Sequence, residues 1–133
     1  ERSMTTWKPE GYTSVSPYLI CRNAAALIDF LVLAFDAVPL RRFERPDGSV
    51  MHAEVRIDDS VVMIGGAQAG WEGVGQHLHV YVPDADLAYR RAIQHGATSI
   101  QGPARKTPDD DLRGGVVDPC GNTWWVATGA PTG

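Results

Sequence analysis

Cysteine is nearly absent from this chain: Cys21 and Cys120 are the only two in 133 residues, and no CxxC spacing exists. That scarcity argues against a disulfide framework and a zinc knuckle, and it makes a reducing cytoplasm the default compartment. Basic clusters are missing too. Lysine and arginine total 12 against 16 aspartates and glutamates, a net charge of −4 that is ill suited to a phosphate backbone. No nucleic-acid partner is expected, whereas a cationic small molecule is compatible with the acidic balance. No run approaches the ~18 apolar residues of a membrane-spanning helix, so no membrane partner is expected. Nor does the chain open on the charged, apolar and small-residue succession of a secretion signal.

What is present is a globular composition, 44% hydrophobic and 21% charged. The chain is long enough for one domain whose core needs no metal or disulfide staple. Its most informative stretch is Gln76 to Val82, where Leu78, Val80 and Val82 alternate with His77, His79 and Tyr81. Successive strand side chains point to opposite faces, so one face packs and the other presents two imidazoles and a phenol. On pattern alone that polar ridge faces water.

The remainder reads as a frame around this strand. Residues 1–11 form a polar arm. Thr13 to Cys21 alternates as a strand, with Leu19 and Cys21 on the packing side and Ser14, Ser16, Tyr18 and Ile20 opposite. Asn23 caps a helix over 24–35, apolar at Leu27, Phe30, Leu31, Ala34 and Phe35, and Asp36 takes the left-handed position that ends it. Strands over 38–44 and 50–57 flank the turn at Pro46-Asp47-Gly48. The second of them has Met51, Ala53, Val55 and Ile57 on its packing side, and His52, Glu54 and Arg56 on the other. A strand over 61–64 leads into a glycine-rich link, 67–75, which carries Trp71. The plan then repeats: a strand over 77–82, a helix capped by Asp84 and closed by Gly96, and strands over 98–102, 112–117 and 123–127. Leu27 and Leu87, Ala37 and Ala97, and the aspartate turns at 58 and 118 recur at a spacing of 60 residues. The prediction is one domain over 12–129, built from a module at 12–66, the link at 67–75 and a second module at 76–129.

Four stretches make this plan specific. They are Val15-Ser-Pro-Tyr-Leu19, Pro46-Asp-Gly-Ser-Val-Met-His-Ala-Glu54, His79-Val-Tyr-Val82, and Arg113-Gly-Gly-Val-Val-Asp-Pro-Cys-Gly-Asn-Thr-Trp-Trp125. With a βαβββ unit used twice, the chain resembles the vicinal oxygen chelate superfamily (glyoxalase I, bleomycin-resistance proteins and extradiol dioxygenases), and within it the PhnB-like branch. Cys120 stands where that branch usually has phenylalanine. The resemblance implies an α+β fold: two modules form a half-open, curved mixed sheet, with helices on the convex side and a ligand cavity on the concave side. It also implies a homodimer, because small members usually complete their pockets across a subunit interface. Metal-dependent members hold a divalent ion at four inward positions, which here carry Ser16, Met63, His77 and Trp125. Methionine and tryptophan cannot serve a hard divalent ion, so no metal and no cofactor is expected.

Alternation and resemblance together turn Ser16, Tyr18, His52, Glu54, Met63, His77, His79, Tyr81 and Trp125 into the cavity, with Met63 beside Trp125 and Trp124 packed outward under a helix. Several roles stay open. His52 and Glu54 form either an acid–base couple or a cross-strand polar pair. Trp71 is a lid or a subunit contact, and Arg113 binds an anion or sits in an exposed salt bridge. The function expected is sequestration of a planar or cationic small molecule, such as an antibiotic or aromatic metabolite, in a metal-free aromatic pocket. The alternative is a divalent-metal-dependent lyase, isomerase or dioxygenase.

Overall fold

The computed structural model describes residues 7–131. The first module contains β1 (Tyr18–Cys21), α1 (Ala24–Phe35), β2 (Val38–Glu44), β3 (Val50–Ile57) and β4 (Ser60–Gly66). The second contains β5 (His77–Tyr81), α2 (Ala85–Gln94), β6 (Thr98–Ala104), β7 (Leu112–Val117) and β8 (Thr123–Thr128). Each module forms one four-stranded sheet, in the orders β1-β4-β3-β2 and β5-β8-β7-β6. The first and last strands of each module pair in parallel, and all other pairs are antiparallel. The mixed α+β plan with two modules therefore holds.

Local chemistry sets the helix ends. Asn23 and Asp84 accept backbone N–H groups of the first helical turns, from Ala26 and Leu87. Asp36 closes α1 in the left-handed conformation at φ 57°, which aspartate tolerates better than most residues. Gly96 follows α2 at φ 108°, where glycine avoids a Cβ clash.

One core serves both modules. Leu27, Ile28, Leu31 and Phe35 of α1 pack on Leu19, Val55, Val62 and Ile64, while α2 contributes buried Ala85, Ala88 and Ala92 with Tyr89 half-buried against them. Trp124 is buried in the same core and lies 5.2 Å, ring to ring, from Phe35 of α1. The expectation that Trp124 packs under a helix is met.

The structure departs from the expected elements at three places. β1 begins at Tyr18, so Ser14, Val15 and Ser16 precede it; Pro17 uses its carbonyl to accept from Met63 N–H and has no N–H to extend the ladder. Met51 is 46% exposed and Val50 is buried instead, because the β2–β3 register shifts between Phe43 and Glu44. A bulge of this kind resets which residues face the core.

The third departure concerns the cysteines. Cys21 and Cys120 are bonded to each other across a sequence separation of 99, with Cα atoms 5.7 Å apart, a spacing natural for a disulfide. Counting and local spacing could not reveal this pair, since the end of β1 meets the β7–β8 turn only in the folded chain. Lasting disulfides belong to oxidising compartments, so the pairing removes the premise on which a reducing cytoplasm was expected. Closing so long a loop restricts the unfolded chain, and such links typically stabilise by about 2–4 kcal/mol. Cys120→Ser should therefore lower the urea-unfolding free energy by about that amount without reductant, and reductant should lower the wild type to the same level while leaving the variant unchanged. Equal stability of the two proteins under oxidising conditions would show that the bond does not form.

Candidate functional site

On β8, neighbouring tryptophans take opposite faces: Trp124 enters the core and Trp125 emerges on the concave side. Trp125 pairs in register with His79 on β5 and Gly115 on β7. A Cβ at Gly115 would sit 2.6 Å from the indole, so only glycine lets the ring lie flat on the strand. The indole Nε1–H donates to His77 Nδ1 at 3.2 Å, and the two rings are within 14° of parallel with centroids 6.2 Å apart. An in-plane hydrogen bond between nearly parallel rings sets them side by side, as one flat surface. His77 is exposed and Trp125 half-buried.

Along the same sheet, Arg113 donates through Nε to His79 Nε2 at 3.2 Å and through Nη2 to Asp111 at 3.0 Å. Asp111 also accepts from the Tyr81 hydroxyl at 2.7 Å and from Ala130 N–H. The Tyr81 bond, then the Ala130 bond, hold the Asp111 carboxyl below its ordinary pKa against some desolvation. Arg113 thus sits in an ion pair, the simpler of its two expected fates, with a neutral imidazole as second partner.

The first module holds a separate group. Glu54, only 4% exposed, accepts from Tyr12 Oη, Arg41 Nε (3.0 Å) and His52 Nε2 (2.8 Å). Burial pushes its pKa up, but hydrogen bonds from Tyr12, His52 and Arg41 together outweigh burial and leave it below the usual carboxylate value. Glu54 is therefore ionised at neutral pH. His52 Nδ1 meets the Tyr18 hydroxyl at 3.0 Å, and Trp71 packs its ring edge against Tyr18 at 6.1 Å.

The expected site residues therefore fall into two sets. Tyr18, His52 and Glu54 lie together on the first sheet, with Trp71 of the link against Tyr18 and Met63 in register with both Tyr18 and Glu54. His77, His79, Tyr81, Arg113 and Trp125 lie together on the second. Met63 and Trp125 are on different sheets. Ser16 stands outside any strand and bonds to Thr13 at 3.2 Å. A cavity of about 470 Å³ beside β5 is lined by Pro17, Val62, Leu78, His79 and Tyr81, and one of about 380 Å³ by Val32, Arg41 and Glu54 among others. Neither includes the His77–Trp125 surface, which opens outward. Tyr12, Arg41 and Asp111 escaped the sequence reading because they lie just after the arm, on an edge strand and in a polar loop. The two-residue spacing of Arg41 from Phe43, opposite His52, was the available signal for the arginine.

A model of the Glyoxalase/Bleomycin resistance protein/Dioxygenase superfamily matches residues 12–126. The chain belongs to this superfamily. An uncharacterized protein of Mycobacterium bovis is 37% identical over 122 residues, covering 84% of this chain and 80% of that protein. An uncharacterized protein of Mycobacterium tuberculosis has the same identity and covers 71% of its own length. Among solved structures, TioX from Micromonospora sp. ML1 matches with a TM-score of 0.72 at 20% identity, over 87% of this chain and 98% of its own. The fosfomycin resistance protein FosX of Listeria monocytogenes, solved with Mn(II) and sulfate, matches with a TM-score of 0.68 at 12% identity, over 89% and 90% of the two chains. At such identities these structures establish the shared fold.

The donor chemistry of this superfamily member does not fit a divalent ion at the corresponding positions. Ser16 is tied to Thr13, Met63 offers a thioether, Trp125 offers only an N–H, and His77 already receives that N–H. Among the described residues no three His, Cys, Asp or Glu side chains gather as a metal site would require.

Desolvation, followed by the charge of Arg113, holds His79 below the ordinary imidazole pKa, and Asp111 offsets this only in part. The unfolded chain then binds a proton that the folded chain refuses. Stability from neutral His79 is complete above the unfolded value of about 6.5 and is lost as pH falls through it. An NMR titration should place the His79 Hε1 midpoint below that value, and Arg113→Gln should raise it. A midpoint unmoved by the substitution would mean that the guanidinium does not face this ring.

Proposed function

We propose that the protein binds a planar organic molecule reversibly, as a metal-free binding member of its superfamily, with antibiotics and aromatic metabolites as the ligand class. The carrying observation is the coplanar His77–Trp125 surface held flat over Gly115. A flat π-surface of this size favours an offset-stacked planar guest, and the remaining polar groups orient it. Support for a metal-free mode comes from the donor set at the four inward positions. The motif stretches quoted above support the PhnB-like branch.

The open geometry supports a homodimer. His77, Tyr81 and Trp71 are exposed, and Phe43, Met51 and Ile100 add exposed apolar surface on or near the outer strands. A second copy laid against these concave faces would enclose the surface that one chain leaves open, as a ligand pocket requires.

Calorimetric titration with a panel of planar aromatic antibiotics tests the reading. At least one should bind, and Trp125→Ala should weaken it by about 1–2 kcal/mol, roughly 5- to 30-fold. Affinity untouched by the substitution would remove the proposed surface from the site. Metal analysis supplies the opposing result: stoichiometric uptake of nickel, zinc, manganese or ferrous ion, lost in His77→Ala, would favour the metal-dependent lyase, isomerase or dioxygenase instead.

A further inference from the structure

The first sheet carries a linear array that binding alone does not use. Glu54 is buried and ionised, His52 bridges from it, and Tyr18 ends the array in the open, 44% exposed. The bond distances are 2.8 Å from Glu54 to His52 Nε2 and 3.0 Å from His52 Nδ1 to Tyr18 Oη. An ionised carboxylate can only accept, so it fixes the His52 proton on Nε2 and leaves Nδ1 as the acceptor of the phenolic proton. The geometry also depends on a gap. Tyr18 is on β1 and His52 on β3, with β4 between them, and Gly65 of β4 is the residue in register with His52. A Cβ at Gly65 would lie 2.9 Å from the Tyr18 ring and 2.8 Å from Trp71. The missing side chain is what lets phenol and imidazole meet across the middle strand.

We infer that Tyr18 is an activated nucleophile, with His52 as its base and Glu54 as the residue that positions and charges that base, and that it reacts with activated acyl groups such as aryl esters. This is the arrangement by which a weak hydroxyl nucleophile is activated: a base within hydrogen-bond reach, oriented in turn by a third group. In the acyl-transfer step Tyr18 Oη bonds to the ester carbonyl carbon while the carbon–oxygen bond to the leaving phenol breaks. The Tyr18 proton passes to His52 Nδ1, the resulting imidazolium is stabilised by Glu54, and the leaving group departs as a phenolate. Trp71, edge-on to Tyr18, supplies an apolar wall for the aryl portion. The site lies on the other sheet from the His77–Trp125 surface, so it stands or falls independently of ligand stacking there.

The probe is p-nitrophenyl acetate, with release of p-nitrophenolate followed by absorbance and acetylation mapped by peptide mass spectrometry. Tyr81 is the internal control, because it is more exposed, at 61%, and bonds directly to a carboxylate without an imidazole. Tyr18 should acetylate at least about tenfold faster than Tyr81, in proportion to general-base assistance. His52→Gln and Glu54→Gln should each bring Tyr18 down to the Tyr81 rate, the latter while keeping the size of the side chain and an acceptor oxygen. Near-ultraviolet circular dichroism reports whether each variant is folded. If Glu54→Gln does not fold, half-buried His52→Gln decides. Tyr18 acetylating no faster than Tyr81, or a folded His52→Gln with an undiminished Tyr18 rate, would overturn the assignment.

Discussion

The indole N–H of Trp124 donates to Asp118 Oδ2 at 2.8 Å, and much of the second module depends on that bond. Asp118 is buried and also accepts from the backbone N–H groups of Cys120 and Asn122 and from the Asn122 side chain. Its carboxylate thus organises the turn between β7 and β8, and it ties the first residues of β8 to that turn. Asn122 in turn accepts from Gln76 N–H, at the entrance of β5. Register is therefore pinned on both strands that carry the flat aromatic surface. Because a strand alternates, fixing Trp124 in the core against Phe35 fixes Trp125 on the concave face. One residue of slip would exchange them, emptying the core and burying the site. A buried carboxylate is costly unless fully paired, and here four donors satisfy it.

Those parts of the fold that obey local rules were legible in the sequence. Both helices, their aspartate and asparagine caps and most strands follow from periodicity and turn chemistry, because their determinants are neighbours in the chain. Orientation of Trp124 and Trp125 was legible for the same reason. What was hidden involves residues brought together from afar. Met51 is left unpaired between Val50 and His52 where β3 bulges against β2, and Ser16 drops out of β1 where Pro17 ends the ladder. Cys21 meets Cys120 through the docking of two modules. The most consequential case is Glu54. Alternation placed it inward beside His52, but not its two other donors, Tyr12 just after the arm and Arg41 on an edge strand.

The division of the inward residues between two sheets follows from how each row of side chains is filled. In the first module, one row across the strands reads Tyr18, Met63, Glu54, and the next reads Ile20, Gly65, His52. In the second, the matching rows read His79, Trp125, Gly115, and then Tyr81, Ala127, Arg113. Each row has limited room on a curved concave face, so a bulky residue requires a small one beside it. Gly65 empties the middle strand, and Tyr18 and His52 lean over it to meet. Trp125 fills the middle strand, and Gly115 makes way for it. Small Ala127 likewise leaves room for Tyr81 and Arg113 to reach Asp111 from either side. The same repeat thus yields a hydrogen-bonded array in one module and a flat π-surface in the other, depending on which strand gives up its side chain. Restoring a side chain at Gly65 or Gly115 would disturb one face and leave the other intact, because no inward row is shared by the two sheets.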